Sequence, residues 1–311
     1  MRIAVFGTGG VGGYFGGRLA QAGEEVIFIA RGEHLKALRA HGLRVNSLKG
    51  DFVVHPTQAT DDPAHVGPVD AVLVGVKAWQ VTEAAQAMRP LVGPDTFVIP
   101  LQNGVEAPSQ LAAVLGAPHV LGGLCSIISF LAGPGRIRHV GAEPHIAFGE
   151  VDNRASERAE RLRQAFARAE VNVEIPPDIQ VAMWEKFLFI ASWGGVGAVT
   201  RAPVGVVRSV PETRRMMEQA MREILHVGQA RKVALTEEAT QKGMAFVDNL
   251  QPGSTASMQR DIMESRPSEL DAQNGAVVRL GQEAGVPTPV HAFIYHSLLP
   301  SELRARGTLQ F

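Results

Sequence analysis

The chain has 311 residues, 45% of them hydrophobic, and a formal net charge of −1. That length suits one large domain or two ordinary ones, and the near-neutral balance supplies no broad basic field for nucleic acid or an anionic membrane. The only cysteine, Cys125, can form no internal disulfide, which fits a reducing cytoplasm.

No signal-like segment follows Met1, and no apolar run approaches the ~20 residues of a membrane span. The histidines lack the HExxH or CxxC company that a metal site wants.

In chain order, RIAVF (2–6) reads as a short strand, followed by a glycine-rich turn and a helix to Gly23. EVIFIA (25–30) is a second strand, a helix is expected from about Glu33 to His41, and LRVNS and DFVVH look strand-like. DAVLVGV (70–76) has the continuous apolar character of a buried parallel strand. AWQVTEAAQAM reads as a helix closed by Pro90, and TFVIPLQNG as strand then turn. Strands alternating with helices predict a doubly wound parallel sheet. From Leu121 to Phe148 short strand-like pieces are expected, broken by Gly133–Pro134–Gly135. A charged amphipathic helix in RASERAERLRQAFARAE and a last strand in VNVEI follow. Pro176–Pro177 marks a boundary. Beyond it helices are expected over 178–193, 211–231, 236–250, 268–283 and 289–299. An α/β half, residues 1–176, therefore precedes an all-α half, residues 177–311.

The turn after the first strand spells G-x-G-x-x-G as Gly7, Gly9 and Gly12, with Thr8, Gly10 and Val11 between them. Strand before and helix after are the context a dinucleotide fingerprint requires. Gly7 permits the tight turn, Gly9 admits the pyrophosphate to the backbone, and Gly12 lets helix and strand pack closely. The helix N-terminus then offers N–H groups to the phosphates. At the end of the second strand, where an NAD site usually carries an acid, stands Arg31. A guanidinium pairs with a 2′-phosphate and an acid repels it, so NADP(H) is the expected cofactor. The competing reading leaves Arg31 merely exposed and gives a ribose hydroxyl to Glu33. Lys77 and Asn103 fall at carboxyl ends of later strands, where ligands of such sheets bind. Each also has a plain structural reading, as a solvated helix-start lysine and as half of an Asn-Gly turn.

MWEKFLFIASWGG (183–195) is nearly all apolar, yet it carries Lys186. On a helix, Ala182, Met183, Phe189 and Ile190 share its face, and none is acidic. Lys186 either snorkels to water or sits in a partly dry pocket. In such a pocket desolvation favours proton donation to an oxygen gaining charge.

GTGGVGGYFGGRLA, VKAWQV, LQNGV, MWEKF, ASMQRDI and SELDAQNGAVV, in that order, resemble the motifs of the ketopantoate reductase (2-dehydropantoate 2-reductase) family, from Met1 to about Pro289. The resemblance implies an α/β Rossmann-type N-terminal domain (1–176), an all-α C-terminal domain (177–311), and an active site in the cleft between. It implies NADPH-dependent reduction of 2-dehydropantoate to (R)-pantoate, in the pathway to pantothenate and coenzyme A. It places the catalytic lysine on Lys186 and the glutamate near that lysine and the nicotinamide ribose on Glu269. The nicotinamide-side asparagine falls on Asn103, the cofactor-contacting lysine on Lys77, and the substrate serine on Ser257, with Ser254 and Thr255 close by. One departure stands out. Where typical members place asparagines four and eight residues after the lysine, this chain has Ile190 and Gly194. Ser192 or Trp193 could compensate only if the helix is distorted at Gly194–Gly195. The substrate expected is a small 2-oxo acid, either 2-dehydropantoate or a more apolar relative. A non-catalytic NADP-binding sensor is the rival from another class. Apolar helices in the second half leave room for a homodimer.

Overall fold

A computed structural model describes residues 1–311, the side chain of Ala142 excepted. By internal contacts the chain divides into two units, Met1–Gln102 with Ala107–Ile179, and Asn103–Glu106 with Gln180–Phe311.

The first unit runs β1 (Arg2–Phe6), α1 (Gly10–Gln21), β2 (Glu25–Ile29), α2 (Gly32–His41), β3 (Leu43–Ser47), β4 (Phe52–Val54), β5 (Gln58–Thr60), β6 (Ala71–Val74), α3 (Val81–Ala87), β7 (Phe97–Pro100), α4 (Ala107–Leu115), β8 (Leu121–Gly133), β9 (Arg136–Glu150), α5 (Glu157–Arg168) and β10 (Asn172–Glu174). Five strands form an all-parallel sheet in the order β5-β2-β1-β6-β7. Successive strand residues enter different cores: Ile3, Val5 and Phe28 join one, Ala4, Phe6 and Ile27 the other. Both faces are therefore buried, which is why these strands are apolar throughout rather than alternating.

The stretch from Leu121 departs from expectation. Instead of short pieces, β8 and β9 are strands of 13 and 15 residues, paired antiparallel with register shifts near Ser126/Ile128 and Leu131/Gly133. With β3, β4 and β10 they make a second sheet, ordered β10-β9-β3-β4 with β8 on β9. LRVNS and DFVVH thus belong to this sheet, as an antiparallel pair. The bulges and the exposure of Ile128, Phe130 and Leu131 blur the period-two signal that would have announced the long strands. Helix α1 lies between the sheets. A Cβ at Gly16 would meet Val5 and Phe28 of the parallel sheet, and one at Gly13 or Gly17 would meet Ile137, or Phe52 and Leu43, of the other. The glycine richness of α1 beyond the fingerprint is therefore a packing requirement.

The second unit is helical: α6 (Ile179–Thr200, its first residue grouped with the first unit), α7 (Val204–Ser209), α8 (Pro211–Ala230), α9 (Glu237–Asn249), α10 (Ser257–Met263), a π turn (Asp271–Gly275), α11 (Ala276–Ala284) and α12 (Pro289–Ala305). Helix α6 does not stop at residue 193 but continues through Gly194, Gly195 and Gly197. Those glycines weaken a helix in isolation. Here each leaves a notch for an amide: a Cβ at Gly194 would lie 3.5 Å from Gln273 Oε1, at Gly195 2.5 Å from Asn274 Nδ2, and at Gly197 2.5 Å from Gln259 Oε1. Tertiary packing overrides the local preference. The short helices α4, α7 and α10 were not anticipated either.

Candidate active site

The glycine turn sits at the carboxyl edge of the parallel sheet. Gly7 has φ +98°, and a Cβ there would stand 2.7 Å from Val76 N, so both conformation and space demand glycine. Its N–H donates to Ile29 O at 3.3 Å, and Thr8 Oγ1 donates to the same oxygen at 3.1 Å. The turn is thereby pinned to the end of β2. A Cβ on Gly9 would meet nothing within 4 Å, whereas one on Gly12 would lie 2.2 Å from Gly7 O. Gly9 thus faces open space at the head of α1, beside Gly10 and Val11, and Gly12 closes helix onto turn. An approach route for phosphate and unspent N–H groups at a helix start fit a dinucleotide.

Arg31 follows β2 and is exposed, in extended conformation at the N-cap of α2. Glu33, the alternative ribose partner, is exposed and engaged by Lys36 at 2.7 Å. Lys77 lies beyond β6, exposed, with its ammonium 5.7 Å from the Trp79 ring centre. Gln102, which motif reading passed over, donates from Nε2 to Val74 O and Val76 O, both at 2.9 Å, and so fixes the path of the chain into Lys77. The glycine turn, Arg31 and Lys77 therefore share one edge of one sheet.

The other candidates belong to the second unit. Asn103 is half-buried, and the next residue, Gly104, has φ +109° and packs on Ala272 O. Glu106 of the same loop accepts from Arg279 Nη2 at 3.0 Å, and Arg279 Nη1 donates to Asp271 at 2.8 Å. Lys186 is half-buried on α6, not extended freely into solvent. Helix α6 continues unbroken past it, so Ser192 stays off its face while Trp193, seven residues on, returns to it, and Ser192 Oγ and Trp193 Nε1 are buried without a hydrogen-bond partner. Ser257 begins α10 and is half-buried. Thr255 accepts from Arg260 through both its carbonyl and its hydroxyl.

Glu269 is 8% exposed and rests on an anchor that sequence did not reveal. The preceding Ser268 gives its N–H and hydroxyl to the Glu302 carboxylate, at 3.0 and 2.5 Å, while Arg306 bonds both Glu302 and Ser268 O. Three segments meet around Gly194: the face of α6 that carries Lys186, the start of α10 through Ala256 and Met258, and the π turn after Glu269 through Gln273. Next to Gln273, Asn274 Nδ2 donates to Ala191 O at 3.2 Å and to His291 Nδ1 at 3.0 Å. That bond makes Nδ1 the acceptor and Nε2 the donor to Ala220 O. The ring is fully buried, and burial pushes its pKa down to about 4.

Among the described residues no group of three or more potential metal ligands clusters, and no helix is long and apolar enough to cross a membrane.

Comparison with known proteins agrees with this architecture. The family description "Ketopantoate reductase PanE/ApbA" matches residues 3–153, and "Ketopantoate reductase PanE/ApbA C terminal" matches residues 178–301. A 2-dehydropantoate 2-reductase of Nostoc sp. is 30% identical, over 96% of this chain and 94% of that protein. A solved PanE/ApbA family ketopantoate reductase from Ralstonia eutropha is 31% identical with a TM-score of 0.88, covering 98% of this chain and all of that one. A D-mandelate dehydrogenase solved with NADH and anilino(oxo)acetate has the same fold, with TM-score 0.88 at 23% identity and 98% and 99% coverage. The chain belongs to the ketopantoate reductase family and is an NAD(P)H-dependent oxidoreductase.

Proposed function

We propose that the protein reduces 2-dehydropantoate to (R)-pantoate with NADPH, a step toward pantothenate and coenzyme A. The observation that carries this reading is a half-buried lysine on an otherwise apolar helix face. An ammonium in a partly dry setting is suited to protonating a ketone oxygen. Gly7, Thr8, Gly9, Gly10, Val11 and Gly12 would hold the cofactor's pyrophosphate on the head of α1, with Arg31 at the 2′-phosphate and Lys77 at the same sheet edge. The cofactor, when bound, supplies hydride to the ketone carbon. Lys186 hydrogen-bonds the ketone oxygen and delivers the proton. Glu269 orients that ammonium and the ribose, and Asn103 and Ser257 position substrate and nicotinamide. The enzyme works in the cytoplasm.

A second reading, a more apolar 2-oxo acid, is favoured by Ile190, which is half-buried among core residues of the second unit, and by Gly194. Neither can hydrogen-bond a substrate through its side chain.

The test is NADPH oxidation with a panel of 2-oxo acids, 2-dehydropantoate included, on the parent and on Lys186→Ala. Turnover with 2-dehydropantoate at the head of the panel is expected, and the variant should be slower by at least ~10²-fold, the scale of a general acid, with NADPH affinity unchanged. Near-normal turnover in Lys186→Ala removes that residue from the mechanism. Preference for an apolar acid selects the second reading. NADPH binding without oxidation by any acid makes the protein a sensor.

A further inference from the structure

Gln273 lies at the middle of the π turn and is 1% exposed, yet neither its Nε2 nor its Oε1 has a hydrogen-bond partner. A buried carboxamide offers two donors and an acceptor, and leaving all of them unmet is costly. Its surroundings do not explain the cost. At the Gly194 notch its Oε1 stands 3.5 Å from where a Cβ would be, with Met258 Cε at 3.2 Å and Ala256 Cβ at 3.6 Å from the same point.

The backbone aims this side chain deliberately. The Gln273 N–H donates to Glu269 O at 2.9 Å, so the two side chains share a face. Two residues later the register is wider, with Gly275 N donating to Leu270 O at 3.0 Å. Such π turns recur where a side chain must be re-aimed for function. On the facing helix, Gly194 follows Lys186 by eight residues, which is two turns along the same face. Two turns span roughly 12 Å of helix axis, so the notch that Gln273 enters lies farther along α6 than Lys186.

We infer that Gln273 is a specificity-determining residue: its carboxamide, entering the notch at Gly194, hydrogen-bonds a hydroxyl on the tail of the 2-oxo acid. The inference rests on Lys186 acting at the ketone. The flexible Met258 thioether gives way as the tail enters. A chain that offers no amide from α6 itself thereby presents one from the opposite wall.

The test uses two acids that differ by one group, 2-dehydropantoate and 3,3-dimethyl-2-oxobutanoate, which lacks the terminal hydroxyl. For each, kcat/KM with NADPH is measured on the parent and on Gln273→Met, a change close in volume. The parent should favour the hydroxylated acid by ~10-fold or more, the scale of one hydrogen bond to a buried group. Gln273→Met should bring the ratio near one by lowering only the hydroxylated arm, mainly through KM. A parallel fall in both arms assigns Gln273 to packing and overturns the inference, as does an unchanged ratio. If the variant does not fold, the parent alone decides, since equal kcat/KM for the two acids leaves no hydroxyl to be read. Equal turnover of both acids sinks this inference and spares the reductase reading, whereas NADPH oxidation with neither acid sinks both.

Discussion

Glu150 in the first unit and Gln273 in the second are almost equally hidden from water, at 4% and 1% exposure, yet only one is answered. Arg158 grips both oxygens of Glu150, each at 2.6 Å, and donates again to Pro118 O at 2.7 Å. Burial pushes the Glu150 carboxyl up, but those bonds outweigh it and hold the pKa below the ordinary value. Gln102, also buried in the first unit, has an unmet Oε1 but spends its Nε2 on two carbonyls. Gln273 spends neither end. The first unit, the platform that carries the glycine turn, leaves single buried atoms unmet, at His34 Nε2, Gln102 Oε1 and Ser129 Oγ, whereas the second leaves both ends of one carboxamide unmet.

That contrast can be broken. Arg158→Ala removes the two-pronged partner of a buried carboxylate and leaves it only Ser156 and the more distant Arg154, and a loss of about 3 kcal/mol is expected from urea unfolding. Replacing both partners by apolar residues should recover most of it, and a silent single variant would mean that the answered charge is not what steadies this unit. In the second unit the buried ring of His291 must stay neutral. Its folded pKa of about 4 lies below the ordinary 6.5, so the contribution is complete above pH 6.5 and fades as pH falls toward 4. The amount at stake is about 3 kcal/mol. The difference in unfolding free energy between the parent and His291→Gln, followed from pH 7 to 4, should shrink accordingly; a difference independent of pH rules out the ring. The smallest effect concerns the platform's edge. Arg31→Ala should raise the KM for NADPH about tenfold, one charge-assisted hydrogen bond's worth, and leave that for NADH nearly unchanged. Equal effects on both cofactors would remove Arg31 from the 2′-phosphate.

Much of this was readable in the chain. The strand, glycine turn and helix of residues 2–21 follow a spacing that is legible in the chain, although the residues that Gly7, Gly13 and Gly17 must clear, Val76, Ile137 and Phe52, lie far away in sequence. The apolar runs of β1, β2, β6 and β7 announce a sheet covered on both faces. Lys186 stood out because a charge in an apolar run is conspicuous. What stayed hidden depends on distant partners. Gly194, Gly195 and Gly197 read as the end of α6, because only the folded molecule supplies the amides that fill their notches. The long β8 and β9 were masked by bulges and exposed apolar residues. Gln273 sits in a helical pattern where a glutamine ordinarily faces water, and the one-residue widening of the turn that contains it leaves no mark in the spacing.

The clamp of Ser268 by Glu302 and Arg306 gives the last helix an unexpected jurisdiction. Its closing turn, polar and superficially dispensable, sets where the backbone enters Glu269. Trimming the chain just after Leu298 would therefore misplace the Glu269 carboxylate while sparing the greasy interior, and, if the role proposed for Glu269 holds, the injury would be visible in turnover before it is visible in melting.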